Sequence, residues 1–337
     1  MVVTKDKAEK FTSLLRCASN ILLVGHTNPD GDSIGSLMGA RAYIKAMYPS
    51  CFPVVAVPTD YPDFLKFLDA GGHILNFLKN GGKVKSAVKK ADLIICLDFN
   101  ALSRIDALGK LVGASGAKKI LIDHHPQPEG GFDLTVSTTE VSSTCELLYW
   151  LLRKTVGNKK DKINSDCGNA LYVGMMTDTN NFSNSVFPST FKMAAELMAM
   201  GVDKESLQYK VLSCFSEDRM RLMGHMLLKS MKIYPHYKAA CMVLDKKTKD
   251  KFNYKDGDSE GFVNLPLNIS GVEISALFTE SENFVRVSLR SKGDFSVNRL
   301  GRAYYNGGGH ERAAGGRLYM PITKVEKYFI DTLRHTF

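Results

Sequence analysis

The chain has 337 residues, 44% of them hydrophobic and 23% charged, so it is long enough for about two domains and too apolar to be disordered by composition. Its 44 Lys+Arg against 35 Asp+Glu leave a formal charge of +9, a surplus that favours anionic partners such as phosphates, nucleotides and nucleic acid but includes no basic tail or arm. Cys17, Cys51, Cys96, Cys145, Cys167, Cys214 and Cys241 are scattered with no C-x-x-C pair, which reads as buried free thiols in a reducing compartment and argues against both a disulfide framework and a thiolate metal site.

The N-terminal stretch up to Arg16 is polar, and no apolar run reaches the ~18 residues of a membrane span. A cytoplasmic protein without membrane contact is therefore expected. Ile21-Leu22-Leu23-Val24 predicts a first strand, followed by a polar loop from His26. Ile34, Leu37, Met38, Arg41, Ile44 and Met47 then fall near helical spacing, with Asp32 or Ser33 as the cap. Residues 54–57, 93–97 and 120–122 predict further strands, and helices are expected over about 143–152 and 166–176. Continuous apolar strands alternating with helices imply βαβ units and a largely parallel sheet buried on both faces.

From about 189 to 232 the pattern is helical. Beyond Tyr234, residues 240–244, 272–278 and 284–289 predict strands of a smaller second domain. The expected fold is α/β throughout: a parallel-sheet domain over 1–205, linker helices over 206–232, and a second α/β domain with a mixed sheet over 233–337.

Several acidic and imidazole side chains fall where apolar elements end, which is where open parallel sheets build ligand sites. His26-Thr27-Asn28-Pro29-Asp30-Gly31-Asp32 places three ligand-type side chains within seven residues. Asp98 closes the run 93–97, Asp123-His124-His125 closes 120–122, and Asp178 follows a helix-like run. Any one of these alone reads better as a turn or cap residue. Together they would repel strongly without a cation. Oxygen and imidazole donors without thiolate suit Mn²⁺ or Mg²⁺, with Zn²⁺ as a further option. Such a set matches the recipe for two metals roughly 3.5–4 Å apart.

These residues resemble the DHH phosphoesterase family over nearly the whole chain. His26-x-x-x-Asp30-x-Asp32 is similar to the first family motif, Asp98 to the second, Asp123-His124-His125 to the third and Asp178 to the fourth. Ser142-Ser143-Thr144-Cys145-Glu146-Leu147-Leu148 resembles the family's helix after the third motif. The resemblance implies one divalent metal ion held by His26, Asp30 and Asp98, and a second held by Asp32, Asp98, His124 and Asp178, with Asp98 bridging. It also implies that Asp123 orients the histidine pair while His125 faces substrate phosphate, both in the catalytic set. Spacing alone does not separate His124 from His125. Mn²⁺ is the expected metal and Mg²⁺ the alternative. One departure is Asn180, which stands after Thr177-Asp178-Thr179 where relatives often carry glycine.

Asn306-Gly307-Gly308-Gly309-His310-Glu311-Arg312 is the second signal. Glycines without Cβ atoms could expose a nest of N–H groups to an anion, reinforced if a helix begins near His310. The segment resembles the GGGH stretch of the DHH-associated C-terminal domain, and Ser288-Leu289-Arg290-Ser291 its companion. Arg290, Gly307, Gly308, Gly309, His310 and Arg312 are thereby expected to bind substrate. Tyr304-Tyr305 could stack on a base, although packing is at least as good a reading.

The resemblance implies a phosphoric ester hydrolase, similar to the stand-alone bifunctional oligoribonucleases that also dephosphorylate 3′-phosphoadenosine 5′-phosphate. The expected partners are short RNA, linear dinucleotides or that nucleotide, and not long duplex nucleic acid, with a monomer or homodimer as the assembly. Alternatives are a cyclic di-adenylate phosphodiesterase, an exopolyphosphatase or pyrophosphatase, a single-strand DNA exonuclease, and a non-catalytic nucleotide sensor. A sensor would be expected to lack a metal ligand, and no ligand is missing.

Overall fold

A computed structural model describes residues 3–157, 163–213 and 215–336. The chain divides into two compact units, Met1–Cys214 and Phe215–Phe337.

Among the described residues of the first unit, six strands form one sheet: β1 (Asn20–Val24), β2 (Phe52–Val57), β3 (Ile74–Asn76), β4 (Leu93–Leu97), β5 (Lys118–Asp123) and β6 (Leu134–Ser137). Their order is β3-β2-β1-β4-β5-β6 and every pairing is parallel. The helices are α1 (Lys5–Arg16), α2 (Gly31–Met47), α3 (Phe77–Lys90), α4 (Asp106–Ala114), α5 (Thr144–Val156), α6 (Ser165–Asp178), α7 (Pro188–Ala199) and α8 (Lys204–Leu212). Alternate residues of the sheet feed two cores. Leu23, Ile95 and Ile122 pack with α1, α2, α5 and α6, whereas Leu22, Ile94 and Leu121 pack with α3 and α4. Burial on both faces is why the central strands read as unbroken apolar runs.

The strand order reverses between β1 and β4. Loops leaving the carboxyl ends of these two neighbours run to opposite sides and open a crevice there. The edge strands β3 and β6 were not expected. They are three and four residues long, and half their side chains need not be apolar. The helix expected to be capped by Asp32 or Ser33 begins earlier. Asp30 is the cap, its carboxylate accepting from the amides of Asp32 and Ser33 at 3.0 and 3.1 Å. Asp178 does not lie beyond a helix but is the last residue of α6.

α2 lies against α6 through small residues. Gly31, Gly35 and Gly39 recur every four positions and so share one face of α2. A Cβ at Gly35 would stand 2.6 Å from the carbonyl oxygen of Ala170. The backbones can approach only because this atom is absent, and the approach brings the start of α2 to the end of α6. Gly35→Ala is expected to destabilise by about 1–3 kcal/mol, read as a lowered thermal midpoint. Gly224→Ala, where a Cβ meets open space, should leave the midpoint unchanged or slightly raised.

The second unit contains α9 (Glu217–His225), β7 (Lys232–Tyr234), β8 (Ala239–Leu244), α10 (Lys246–Lys251), β9 (Ile274–Glu280), β10 (Val285–Ser291), α11 (Val297–Tyr304), β11 (Gly308–His310), β12 (Ala313–Leu318) and α12 (Val325–Arg334). Its sheet runs β11-β12-β10-β9-β8-β7. The β8–β9 pair is parallel and the others antiparallel, so the sheet is mixed. Val285, Val287 and Leu289 face a core with Phe329 and Leu333 of α12. Met242, Leu244 and Leu277 pack with Leu222 and Met226. The stretch 206–232, expected as linker helices, is divided between the units. Leu207 and Val211 of α8 join the first core, and Leu222 and Met226 join a cluster of the second.

The glycine segment differs from expectation. No helix begins near His310; residues 308–310 are β11, paired with β12 across a tight hairpin. The N–H of Gly307 donates to the Gly301 carbonyl and that of Gly309 to Asn298 Oδ1, so these amides are taken up by α11 and do not form an open nest. A Cβ at Gly307 would fall on the Gly315 carbonyl oxygen, which accounts for glycine there by close packing of the chain on itself. Tyr305 is buried, its hydroxyl bonded to Thr332, and offers no stacking face. Cys17 is exposed, unlike the other described cysteines, which are buried; Cys214 lies outside the described residues. Among the described residues, no helix is long and apolar enough to cross a membrane.

Candidate metal centre

Each ligand-type side chain reaches the crevice for a local reason. The β1 ladder ends at Val24, and His26 follows one residue beyond Gly25. Asp30 caps α2 and Asp32 lies in its first turn. Asp98 follows β4 with φ 66°, a left-handed conformation that costs a non-glycine residue energy and recurs at functional sites. Asp123 ends β5, with His124 and His125 directly after it. Asp178 ends α6.

The geometry separates the two histidines that spacing could not. His124 Nε2 lies 3.7 Å from Asp32 Oδ2, 3.8 Å from Asp98 Oδ1 and 3.5 Å from Asp178 Oδ2. His125 turns to Asp123: its Nδ1–H donates to Asp123 Oδ1 at 2.7 Å and its amide to Oδ2 at 3.1 Å. Across the crevice, His26 Nε2 lies 3.4 Å from Asp98 Oδ2 and 3.8 Å from Asp30 Oδ1. His26 Nδ1 is 2.9 Å from the Thr27 carbonyl. A carbonyl can only accept, so Nδ1 carries hydrogen and Nε2 points at the carboxylates. The oxygens of Asp98 are thus divided, Oδ2 toward His26 and Oδ1 toward His124.

These separations are long for charged hydrogen bonds. They are nearer to the roughly 3.0–3.4 Å expected between two ligand atoms that each sit about 2.1 Å from one cation. The ligand atoms of His26, Asp30 and Asp98 all lie within 4.8 Å of one another, as do those of Asp32, His124 and Asp178. Both groups could hold a divalent cation.

Electrostatics agree with that fit. Burial, with repulsion from Asp98, Asp178 and Asp30, drives the Asp32 carboxyl well above the usual range. Two amides from the start of α5, Thr144 N at 2.7 Å and Cys145 N at 2.9 Å, donate to Asp32 and do not offset this. Burial opposes a charge on His26, but hydrogen bonding to Asp30 and Asp98 wins and pushes its pKa up to about 10. Desolvation opposes this for both, yet His26 pulls the half-exposed Asp30 and the buried Asp98 below the usual carboxylate range. Without cations, protons must occupy the cluster. His124 is held down by burial and by its neighbour His125, which suits a neutral ligand. Burial also opposes a charge on His125, but the hydrogen bond and charge of Asp123 raise it. Asp123→Asn removes that charge, so the His125 imidazole should titrate at lower pH, measurable by NMR of the ring nitrogens.

Thr144 was not singled out from the sequence. Its hydroxyl donates to Asp98 Oδ1 at 2.9 Å. The usable signal is Ser143-x-x-Glu146, a capping-box pattern announcing a helix start with amides to spare; Ser143 Oγ does accept from the Glu146 amide. Asn180 has φ 47°, a region that asparagine tolerates better than most residues, so it fills a glycine-type position. In the second unit, Arg290 lies on the half-buried row of β10 and Arg312 is exposed beside His310. Arg290 Nη1 donates to the Leu289 carbonyl.

Comparison with known proteins identifies the family. Residues 20–175 match the DHH family, N-terminal domain, and residues 236–336 the DHHA1 domain. The chain is 30% identical to the Bacillus subtilis bifunctional oligoribonuclease and PAP phosphatase NrnA, over 91% of this chain and 93% of that protein. A crystal structure of an exopolyphosphatase-related protein from Bacteroides fragilis superposes with a TM-score of 0.92 at 38% identity, covering 99% of this chain and 97% of that one. RecJ from Thermus thermophilus, solved with Mn²⁺, shares the fold at 14% identity and TM-score 0.56, covering 99% of this chain and 55% of that chain. With its motifs gathered at the carboxyl ends of β1, β4 and β5 and its two domains matched in order, the chain belongs to the DHH phosphoesterase family.

Proposed function

We propose that the protein is a two-metal phosphoesterase that hydrolyses short oligoribonucleotides, linear dinucleotides or 3′-phosphoadenosine 5′-phosphate. The observation that carries this reading is the division of the Asp98 oxygens between the His26–Asp30 group and the Asp32–His124–Asp178 group. His26, Asp30 and Asp98 would hold one divalent cation, and Asp32, Asp98, His124 and Asp178 the other, with Mn²⁺ the preferred ion and Mg²⁺ the alternative. A bound divalent pair would lower the pKa of water enough to make it a nucleophile near neutral pH. His125, whose charged form Asp123 favours, would donate to a phosphoryl oxygen and stabilise the charge that builds there. Asp123 holds the ring in orientation and tautomer. On the second unit, Arg290, Gly308, His310 and Arg312 would contact substrate, with Gly307 and Gly309 shaping the segment that presents them. The relation to the Bacillus subtilis protein supports the choice of substrate class.

A reading as a phosphoanhydride hydrolase draws on the Bacteroides fragilis neighbour, whose description is exopolyphosphatase-related. The two separate in a Mn²⁺-dependent panel of 3′-phosphoadenosine 5′-phosphate, linear diadenylate, a five-nucleotide RNA, cyclic di-adenylate, polyphosphate and pyrophosphate. Turnover of the first three and not the last two is expected. Phosphate release confined to the inorganic substrates would move the protein to the other branch. Asp98→Ala should nearly abolish turnover of every substrate, by 10³-fold or more as a rough estimate, since it serves both groups.

The cluster also sets a sign for pH. Against burial, Asp30 and Asp98 push the His26 pKa up to about 10, so a cation taking its Nε2 at neutral pH is expected to displace a proton. Mn²⁺ affinity should fall as pH falls. Calorimetry in buffers of different ionisation enthalpy should show net proton release, and proton-neutral binding would contradict His26 as a ligand.

A further inference from the structure

We infer that Thr144 is a positioning residue that sets the direction of both central carboxylates, Asp98 through its hydroxyl and Asp32 through its amide. The inference rests on the reading that the cluster holds divalent cations. Asp98 follows β4 with a left-handed backbone, and although its amide still donates to the Ile122 carbonyl at 3.1 Å, the sheet does not dictate how its carboxylate plane is turned. Thr144 Oγ1 donates to Asp98 Oδ1 at 2.9 Å. With one lone pair of Oδ1 thus occupied, the plane is fixed so that Oδ2 faces His26 and Oδ1 faces His124. The Thr144 amide meanwhile donates to Asp32 Oδ2 at 2.7 Å, the oxygen nearest His124.

The clamp is itself held in place. Thr144 is fully buried in the first turn of α5, where a β-branched side chain has few rotamers. Glu146, also fully buried, accepts from the Ser142 amide at 2.9 Å, the Ser142 hydroxyl at 2.6 Å and the Thr190 hydroxyl at 2.7 Å. The start of α5 is thereby braced against α7, and the threonine cannot swing away. Hydrogen-bond partners behind metal ligands typically carry ~10- to 100-fold in metal affinity, and Thr144 stands behind two carboxylates at once.

The test compares Mn²⁺ binding to the full chain with Thr144, Thr144→Val and Thr144→Ser, by calorimetry and by electron paramagnetic resonance. Valine keeps the shape and removes the hydroxyl donor. It is expected to weaken Mn²⁺ by ~10- to 100-fold and to lose the exchange-coupled signal that two neighbouring Mn²⁺ ions would give. Serine keeps the donor and is expected to restore both. A valine variant that binds like the parent with the coupled signal intact would overturn the inference. So would a serine variant as impaired as valine, because the methyl packing would then be the cause. If circular dichroism shows that the valine variant does not fold, Thr144→Ala replaces it under the same criteria. A parent chain that binds no Mn²⁺ would overturn the cation reading, and this inference with it.

Discussion

Burying several carboxylates at one point is the constraint from which the arrangement of the first unit follows. Asp32 and Asp98 are almost wholly buried, and Asp30 and Asp178 crowd them. Two unit charges 4 Å apart repel by about 4 kcal/mol at an effective dielectric of 20, so such a group cannot be tolerated as bare anions. The structure opposes the repulsion in three ways. His26 and His124 interleave with the acids, two amides of α5 point at Asp32, and the Thr144 hydroxyl meets Asp98. Asp32 is nevertheless driven toward its neutral form. The residual demand for positive charge is of the kind a divalent cation would satisfy.

Meeting that demand requires elements distant in sequence to end at one place. The reversal of strand order between β1 and β4 leaves the loop bearing His26 and the Asp98 turn side by side. Parallel pairing of β4 with β5 brings Asp123, His124 and His125 to the same end. Helix packing supplies the rest. Asp32 and Asp178 lie on α2 and α6, and their meeting depends on backbones close enough that a Cβ at Gly35 would touch the Ala170 carbonyl. The glycines of α2 are therefore part of the site although none offers a ligand.

In the second unit, the glycine motif is built by close chain packing and not by the anion nest its sequence suggests. Gly307 and Gly309 spend their amides on α11, and Gly307 is required by the close passage of the chain past Gly315. Consecutive glycines are compatible with an anion nest, a helix start or a tight hairpin. Only the partner strand β12, which follows the motif, decides among them.

Much was legible beforehand because it depends on local pattern. The unbroken apolar runs of β1, β4 and β5 announce strands covered on both faces, and an Asp or His at or just past each end marks the ligand edge of a parallel sheet. What the sequence determined was therefore the α/β class, the identity of His26, Asp30, Asp32, Asp98, His124 and Asp178 as candidate ligands, and the family. It did not reveal the edge strands β3 and β6, which are too short and too polar to register a period, nor Asp30 as the cap of α2 in place of its neighbours. Spacing leaves the two histidines undivided; the tertiary structure turns His124 to Asp32, Asp98 and Asp178 and His125 to Asp123, and brings a threonine 46 residues beyond Asp98 to donate to its carboxylate. Adjacent histidines share every local propensity. Which of them faces the crevice is set by the direction in which β5 delivers the chain and by the carboxylates waiting on other elements.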